Sequence, residues 1–290
     1  MAEHRGEYGV AFLCRRYRVS RSGFYAWERR DRGRRRRADE ELAARIERIH
    51  RESLGRYGSP RVHQVLRREG VRVSNKRVAR LMRERGLRAR VSRLYRRGSG
   101  VVRRFFAKTG NLRLDEPLPT RTDQIWVGDL TYLRLGKRWR YLATVMDLFS
   151  RRILGWTLAK NRTQEVTLRA LKRAISLRDP RPGLLFHSDR GIEYSAYGYQ
   201  DFLKAKGIVP SMNRPRSCQD NAHMESFFHS LKAELTHRRS FATEAELHAS
   251  VGHYIDRFYN AKRIHSSLGY HSPVEFERLA HASRSVHQNG

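Results

Sequence analysis

Three acidic residues of this sequence stand where a carboxylate needs an explanation. Asp129 lies within the apolar run IWVGDLTY, Asp189 ends the apolar segment LLFHSD, and Glu225 lies in NAHMESFFHSLK, which has helical spacing. Taken singly, an Asp at a strand end usually caps a turn, and a Glu on a helix usually faces water. Asp129 is harder to explain in this way, because a buried carboxylate is costly unless it is paired or bound to a metal.

Together the three acids suit the chemistry of phosphoryl transfer. Mg²⁺ prefers oxygen ligands and needs only one or two protein carboxylates. Two such ions, about 3.5–4 Å apart, can activate an attacking oxygen and stabilise a leaving one. We therefore predict that Asp129, Asp189 and Glu225 are both the catalytic residues and the metal ligands. The predicted cofactor is Mg²⁺ or Mn²⁺, bound as two ions.

Residues near the acids are candidates for supporting roles. Lys232 lies two helical turns, about 10 Å, past the third acid on the same helix face, where we expect it to contact a DNA phosphate. His187 and Asn221 are predicted to support the site. Two interpretations of His187 suit the sequence equally. In the first it orients Asp189 or contacts DNA, and in the second it simply packs at a strand end. Glu193 is a rival ligand that we interpret instead as a loop residue.

The composition favours a polyanionic partner. The 290 residues include 61 Lys and Arg against 29 Asp and Glu, a net charge of +32, and the pI is near 11.3; such a field attracts nucleic acid or an anionic membrane surface. No apolar run approaches the roughly 20 residues of a membrane span, and the segment MAEHRGEYGV lacks a signal peptide's apolar core. Two cysteines indicate no disulfide framework. We expect a nucleic-acid partner, no membrane, and a cytoplasmic, nucleoid-associated location.

The N-terminal part has the pattern of an all-α DNA-binding region. We predict a helical segment with an Arg-rich linker over 1–37, and a helix-turn-helix domain over 38–95 in which Ser74 caps a basic second helix. A solvated polar face is the commoner origin of such a helix, but almost all of its exposed charge is positive, so we favour contact with double-stranded DNA. The residues predicted to contact DNA there are Asn75, Lys76, Arg77, Arg80 and Arg83.

From residue 123 the pattern changes to that of an α/β domain. The segments IWVGDLTYLRL, WRYLATVMDLFS and RRILGWTLAK predict three consecutive strands, and helix, strand, helix, strand and further helices follow. This order is typical of a ribonuclease H-like mixed sheet. We predict a linker over 96–122, a catalytic core over 123–278 and a tail over 279–290. Thr243 and Glu246 predict a capping box for a final long helix that ends near Phe258.

Five motifs together resemble a known family. They are WVGDLTY at 126–132, DLFSR at 147–151, HSDRG at 187–191, DNAHMESFF at 220–228 with Lys232, and FYN at 258–260 with Arg263, HSSLGY at 265–270 and Pro273. The run from about 124 to 277 is similar to the integrase catalytic core of bacterial insertion-sequence transposases, in the second-reading-frame (OrfB-type) product. VSRSGFYAW at 19–27 and YGSPRVHQVL at 57–66 resemble that product's helix-turn-helix region.

The resemblance implies a mechanism and partners. It implies a D-D-E triad with 35 residues between its last two members, and Asp129, Asp189 and Glu225 match those positions in that order, with Lys232 as the basic residue after the Glu. It implies a transposase that cleaves a 3′ end of an insertion sequence and transfers that strand to target DNA. A first-frame product of the same element is a possible partner. Because two DNA ends must be paired, we expect a homo-oligomer on DNA.

Two other functions stay open on the sequence alone. A non-catalytic DNA-binding protein, such as a repressor or a decayed transposase, needs only the basic helices and gives no reason for the three acids. A ribonuclease H-like nuclease that cuts without joining strands shares the acids, and only the family motifs separate it from a transposase. Gly128, where the family often has Thr or Ala, and Gln219, where it often has an aromatic residue, are departures that bear on the level of activity.

Overall fold

The computed structural model describes two compact units, Met1–Ala89 and Arg90–Gly290. The residues described are 4, 6–28, 32–90, 110–114, 117–214, 221–237 and 239–288, without the side chains of 32–35 and 284–288. The predicted linker at 96–122 falls largely outside these residues, as does Gln219. Within the described ranges, no helix is both long enough and apolar enough to cross a membrane.

The N-terminal unit is all-α. Its helices are α1 (Val10–Arg16), α2 (Arg21–Glu28), α3 (Arg32–Glu52), α4 (Ser59–Arg68) and α5 (Asn75–Glu84). The last three pack around a core in which Ile46, Val62, Leu66 and Val78 are fully buried. This confirms the predicted helical region, in which α4 and α5 form the helix-turn-helix.

Two local signals in this unit had different outcomes. Ser74 caps α5 as predicted, because its Oγ accepts a hydrogen bond from the Arg77 N–H at 3.3 Å. The prediction of a linker at 32–37 was wrong, since these residues begin α3. Arg is a good helix former, and Arg36 forms a 3.2 Å ion pair with Glu40 one turn later, so the basic run extends the helix that follows it.

The second unit is built on a five-stranded mixed sheet. Its strands are β1 (Ile125–Leu135), β2 (Arg138–Asp147), β3 (Ile153–Ala159), β4 (Leu185–Ser188) and β5 (Val209–Met212), in the order β3-β2-β1-β4-β5. β1, β2 and β3 are antiparallel neighbours, whereas β4 runs parallel to β1 and β5 parallel to β4. This is the predicted ribonuclease H-like α/β fold.

The α-helices of this unit follow the strands or lie between them along the chain. They are α6 (Gln164–Arg178), α7 (Ile192–Ser195), α8 (Tyr197–Ala205), α9 (Ala222–Leu231), α10 (Glu244–Gly252) and α11 (Pro273–Gln288). The contact between α6 and β3 is very close, because a Cβ at Gly155 would lie 2.1 Å from the Ala170 carbonyl oxygen. A core that includes Trp126, Leu171 and Phe186 fills the space between the sheet and α6.

The C-terminal part departs from two predictions. Thr243 does cap α10, accepting from the Glu246 N–H at 3.1 Å, but the α-helix ends at Gly252 and continues as π-helical turns over His253–Tyr259. The predicted tail at 279–290 instead falls mostly within α11. The missed signal is a second capping box, in which Ser272 and Glu275 exchange backbone-to-side-chain hydrogen bonds of 3.3 Å.

Candidate active site

Asp129 and Asp189 occupy matching positions on adjacent parallel strands. In the register of β1 and β4, Gly128 pairs with Ser188, and each aspartate is the next residue along its chain. Neighbouring strands are about 4.8 Å apart, so this register brings the two residues side by side. A backbone N–H holds each carboxylate, since Asp129 Oδ1 accepts from Leu130 at 2.7 Å and Asp189 Oδ1 from Gly191 at 3.0 Å.

Their surroundings raise the pKa of both carboxyl groups. For Asp129 the largest cause is burial, the second is the charge of Asp189, and Glu225 contributes in the same direction. For Asp189 the largest cause is burial, and Glu193 adds to it. Arg162 opposes the rise in both cases without cancelling it. The site therefore concentrates negative charge that a bound cation would neutralise.

Gly128, the residue before Asp129 on β1, is packed too tightly against its neighbours to carry a side chain. A Cβ there would lie 2.5 Å from Phe186 Cζ and 3.3 Å from Tyr194 Cε1. This explains why glycine stands where the family often has Thr or Ala. In this chain the bulky Phe186 ring occupies the space instead.

Glu193 and Arg162 form an ion pair beside the aspartates that the sequence did not reveal. Glu193 lies in the short helix α7, only 1% exposed, and both of its carboxylate oxygens accept hydrogen bonds from the Arg162 guanidinium. The interpretation of Glu193 as a loop residue was therefore wrong. A Cβ at Gly191 would lie 2.7 Å from Glu193 Oε2 and 2.9 Å from Asp189 Oδ1. The carboxylates of Glu193 and Asp189 therefore both pack against the turn at Gly191.

Asn221 anchors the start of the helix that carries Glu225. Asn221 is buried, and its Nδ2 donates to the Gly128 carbonyl oxygen at 3.2 Å. Glu225 follows one turn later on α9 and is exposed, yet its charge raises the pKa of Asp129. The structure thus brings the two aspartates together and leaves Glu225 at the rim. Within the residues described, no group of three or more His, Cys, Asp and Glu side chains is arranged to hold a metal ion.

Lys232 follows α9 in a π-helical turn, Lys232–Thr236, rather than in the α-helix. Its Nζ lies 4.4 Å from the centre of the Tyr132 ring. Burial lowers the pKa of Lys232, while the charge of Asp129 acts in the opposite direction. This ammonium group therefore lies beside β1, the strand that carries Asp129.

A buried ion pair holds the turn that carries Lys232. Glu234 and Arg263 are 4% and 5% exposed, and Arg263 Nη2 lies 2.7 Å from Glu234 Oε1. Glu234 Oε2 also accepts from the Tyr254 hydroxyl at 3.0 Å. Arg263 belongs to the C-terminal family motif, so that motif has a structural role here.

His187 is fully buried between β4 and β5. Its Nδ1 lies 2.9 Å from Ser211 Oγ and its Nε2 lies 2.6 Å from Asn213 Oδ1. These contacts are those of a packed histidine near a strand end. Support of Asp189 by His187 stays a prediction.

The residue types at the aspartate pair fit a divalent cation. Mg²⁺ takes hard oxygen ligands and requires only one or two protein carboxylates, because water and phosphate complete its coordination. Asn221 Oδ1 is buried and has no hydrogen-bond partner among the residues that the structure describes, and buried polar atoms seldom remain unpartnered. Because they are adjacent carboxylates, Asp129 and Asp189 are the residues that would hold the cation.

On α5, the residues predicted to contact DNA fall into two groups. Asn75, Lys76 and Arg83 are exposed. Arg77 and Arg80 are instead half-buried, and both pair with Asp39 of α3, at 2.6 and 2.7 Å. A hydrogen bond from Arg80 is the largest cause of the lowered pKa of Asp39. These two arginines therefore join α5 to α3.

Comparison with known proteins identifies the class and then the family. The chain matches an integrase core domain family over residues 119–218, a second integrase core domain family over 225–279, and an HTH-like domain family over 37–95. The fold and these matches define an integrase-type DNA recombination protein. The chain is 36% identical over 281 residues to transposase InsF for insertion sequence IS3A of Escherichia coli (strain K12), which covers 95% of this chain and 96% of that protein. It therefore belongs to the insertion-sequence transposase family, whose activity is polynucleotidyl transfer, and it functions in DNA transposition.

Other similarities extend over much of the chain. The insertion element IS600 uncharacterized 31 kDa protein of Shigella sonnei is 35% identical over 278 residues, 93% of this chain and 98% of that protein. Among solved structures, the HTLV-2 integrase catalytic core domain in complex with magnesium (dimeric form) is 20% identical, covering 54% of this chain and 97% of that chain, with a TM-score of 0.44.

Proposed function

We propose that this transposase carries out metal-dependent 3′-end cleavage and strand transfer with a D-D-E site formed by Asp129, Asp189 and Glu225. The observation that carries the proposal is the register of β1 and β4, which sets the two aspartates next to each other. The cofactor would be Mg²⁺ or Mn²⁺, bound as two ions. These ions would supply Lewis acidity toward the phosphate and the attacking oxygen. The same site would use water in the first step and the freed 3′-hydroxyl in the second.

The protein's own side chains would divide the work. Asp129 and Asp189 would hold the cation, and Glu225 would complete the set from the first turn of α9. Lys232 positions a phosphate of the DNA end. Asn221 supports this arrangement by fixing the helix start to β1, which it does through its hydrogen bond to Gly128.

We further propose how DNA and partner chains enter the reaction. The domains would be 38–95 for binding double-stranded DNA and 123–278 for catalysis, with Asn75, Lys76 and Arg83 as the free face of α5. A homo-oligomer would hold two element ends together on DNA. The first-frame product of the same element would be a second partner.

Purified protein incubated with end-labelled terminal inverted-repeat DNA and Mg²⁺ or Mn²⁺ tests this proposal. We expect a nick at the 3′ end followed by joining to target DNA, and we expect Asp189→Asn to abolish both products while DNA binding persists. Binding without any nick would favour a non-catalytic protein, and nicking without joining would favour a nuclease. Cleavage that survives in Asp189→Asn would show that the site is assigned wrongly.

The assignment on α5 leads to a separate prediction for DNA affinity. Lys76→Ala with Arg83→Ala is expected to weaken binding to duplex DNA, and each lost phosphate contact should reduce the slope of log affinity against log salt concentration by about 0.9. Binding would be measured by titration at several salt concentrations. Arg51→Ala, which removes an exposed cation from the end of α3, is the control and should leave more of the affinity intact. Equal losses in the two proteins would contradict the role of α5.

A further inference from the structure

Two exposed aromatic rings lie on the hairpin formed by β1 and β2. Tyr132 is 52% exposed and Trp139 is 42% exposed. Their ring centres are 5.0 Å apart and their planes are nearly perpendicular, at 82°. Edge-to-face packing of this kind stabilises the pair and keeps the two rings together at the surface.

A cation flanks each of these rings. Lys232 Nζ lies 4.4 Å from the centre of the Tyr132 ring, and Arg134 Cζ lies 4.8 Å from that of Trp139. Lys137 and Arg138, at the turn of the hairpin, are exposed as well. We call Tyr132 and Trp139 with these flanking cations the hairpin platform. Its combination of aromatic faces and positive charge matches a nucleic acid strand, which offers bases and phosphates in alternation.

The hairpin platform lies close to the candidate active site. Tyr132 is three residues past Asp129 on β1, which is about 10 Å along an extended strand. Side chains three residues apart point to opposite faces of a strand, but the pairing of β1 with β4 ends at Gly128, so both residues lie along the part of β1 that β4 does not pair with. Lys232 contacts Tyr132 from the turn that directly follows α9, the helix that carries Glu225.

We propose that the hairpin platform binds an unpaired base of the DNA strand whose phosphate lies at Asp129 and Asp189, an inference that rests on the proposed function. A paired base inside a duplex shows only its edges, so its face is not available for stacking. A base at a frayed or opened end does present its face. The platform would therefore hold the strand end open beside the acids.

The test measures binding in EDTA, without a divalent cation, using the full chain. The probes are a single-stranded oligonucleotide that contains 2-aminopurine and the same strand in a duplex. Because stacking on an aromatic side chain is worth about 1–3 kcal/mol per base, Tyr132→Ala with Trp139→Ala should weaken single-strand binding at least about fivefold. Duplex binding should change much less. Stacking should quench the 2-aminopurine fluorescence in the native protein and not in this variant.

Two further variants separate stacking from other effects. Trp139→Phe keeps an aromatic face and should retain most of the single-strand affinity even if the alanine variant is poorly folded. Tyr197→Ala removes an 89% exposed ring elsewhere in the same unit and should change nothing. Equal losses for single strand and duplex, or quenching that persists without the two rings, would overturn the proposal. Since no cation is present and no bond is cut, these outcomes do not depend on the catalytic assignment.

Discussion

Asp129→Asn is expected to make the metal-free protein more stable and, at the same time, to abolish DNA cleavage. Burial and the neighbouring charges of Asp189 and Glu225 raise the pKa of Asp129. A group whose pKa is higher in the folded than in the unfolded chain favours folding at low pH, and this contribution is lost as the pH rises through the folded value. At neutral pH, where the unfolded chain has lost this proton, the raised pKa of Asp129 therefore destabilises the fold, and the neutral amide of Asn removes that effect.

Thermal unfolding at several pH values, without divalent cations, checks the stability half of this prediction. Each kcal/mol relieved should raise the melting temperature by about 2–4 °C for a protein of this size. The gain should be largest at neutral pH and shrink toward pH 4, near the ordinary carboxyl pKa of about 3.9. Asp201→Asn, at an exposed acid of α8, is the control and should show no such gain.

The same substitution is expected to lower the rate of DNA cleavage while it raises stability. A Lewis-acid contribution of several kcal/mol to the transition state corresponds to about a thousandfold in rate for each 4 kcal/mol, so Asp129→Asn should lose cleavage and strand joining by about that factor. Mg²⁺ should raise the melting temperature of the native protein more than that of the variant, because only a cation that binds the folded state stabilises it. A variant that is less stable at pH 7, or that still cleaves DNA, would contradict the assignment.

The placement of the two aspartates could be predicted from the sequence. Each aspartate is next to a strand signal: an alternating apolar run surrounds Asp129, and a short apolar run precedes Asp189. Acidic residues on two such strands indicate a shared site. The mixed sheet follows from the order of the elements. What the sequence did not provide is the register, in which Gly128 faces Ser188, because pairing between strands 60 residues apart has no local signal.

Contacts between distant residues account for most of what was missed. Arg162 and Glu193 are 31 positions apart, and nothing near Glu193 indicates that it is buried. On α5, spacing alone cannot separate the free Lys76 from Arg77 and Arg80, since their partner Asp39 lies on another helix. A helical pattern gives the direction of a side chain, whereas its partner depends on tertiary packing.

The π-helical turn at Lys232–Thr236 is another such case. The apolar spacing of α9 predicts that the α-helix simply continues, so Lys232 was expected on its regular face. The turn instead holds Glu234 against Arg263, 29 residues further along. The turn that begins at Lys232 therefore carries a buried ionic contact that the spacing of α9 does not indicate.

Arg263→Met is expected to destabilise the second unit by about 3–5 kcal/mol, because it leaves the buried Glu234 carboxylate without its partner. Burial alone would lower the pKa of Arg263, but the charge and hydrogen bonds of Glu234 outweigh it and raise that pKa. Denaturant unfolding of the native and variant proteins would measure the loss. Arg239→Met is a matched control, because Arg239 pairs with Glu246 at 3.2 Å through side chains that are 48% and 39% exposed, and pairs at the surface contribute about 0–1 kcal/mol.

A double variant separates the stability of this pair from its role in placing Lys232. Glu234→Leu with Arg263→Met replaces two buried charges by apolar groups, an exchange that is often neutral or stabilising in proteins. We expect it to recover most of the unfolding free energy that Arg263→Met loses, yet to cleave DNA more slowly than the native protein, because the turn is no longer fixed by the ion pair. Recovery of both stability and cleavage would show that packing alone positions Lys232. A single variant as stable as the native protein would mean that the Glu234 carboxylate is not buried as the structure has it.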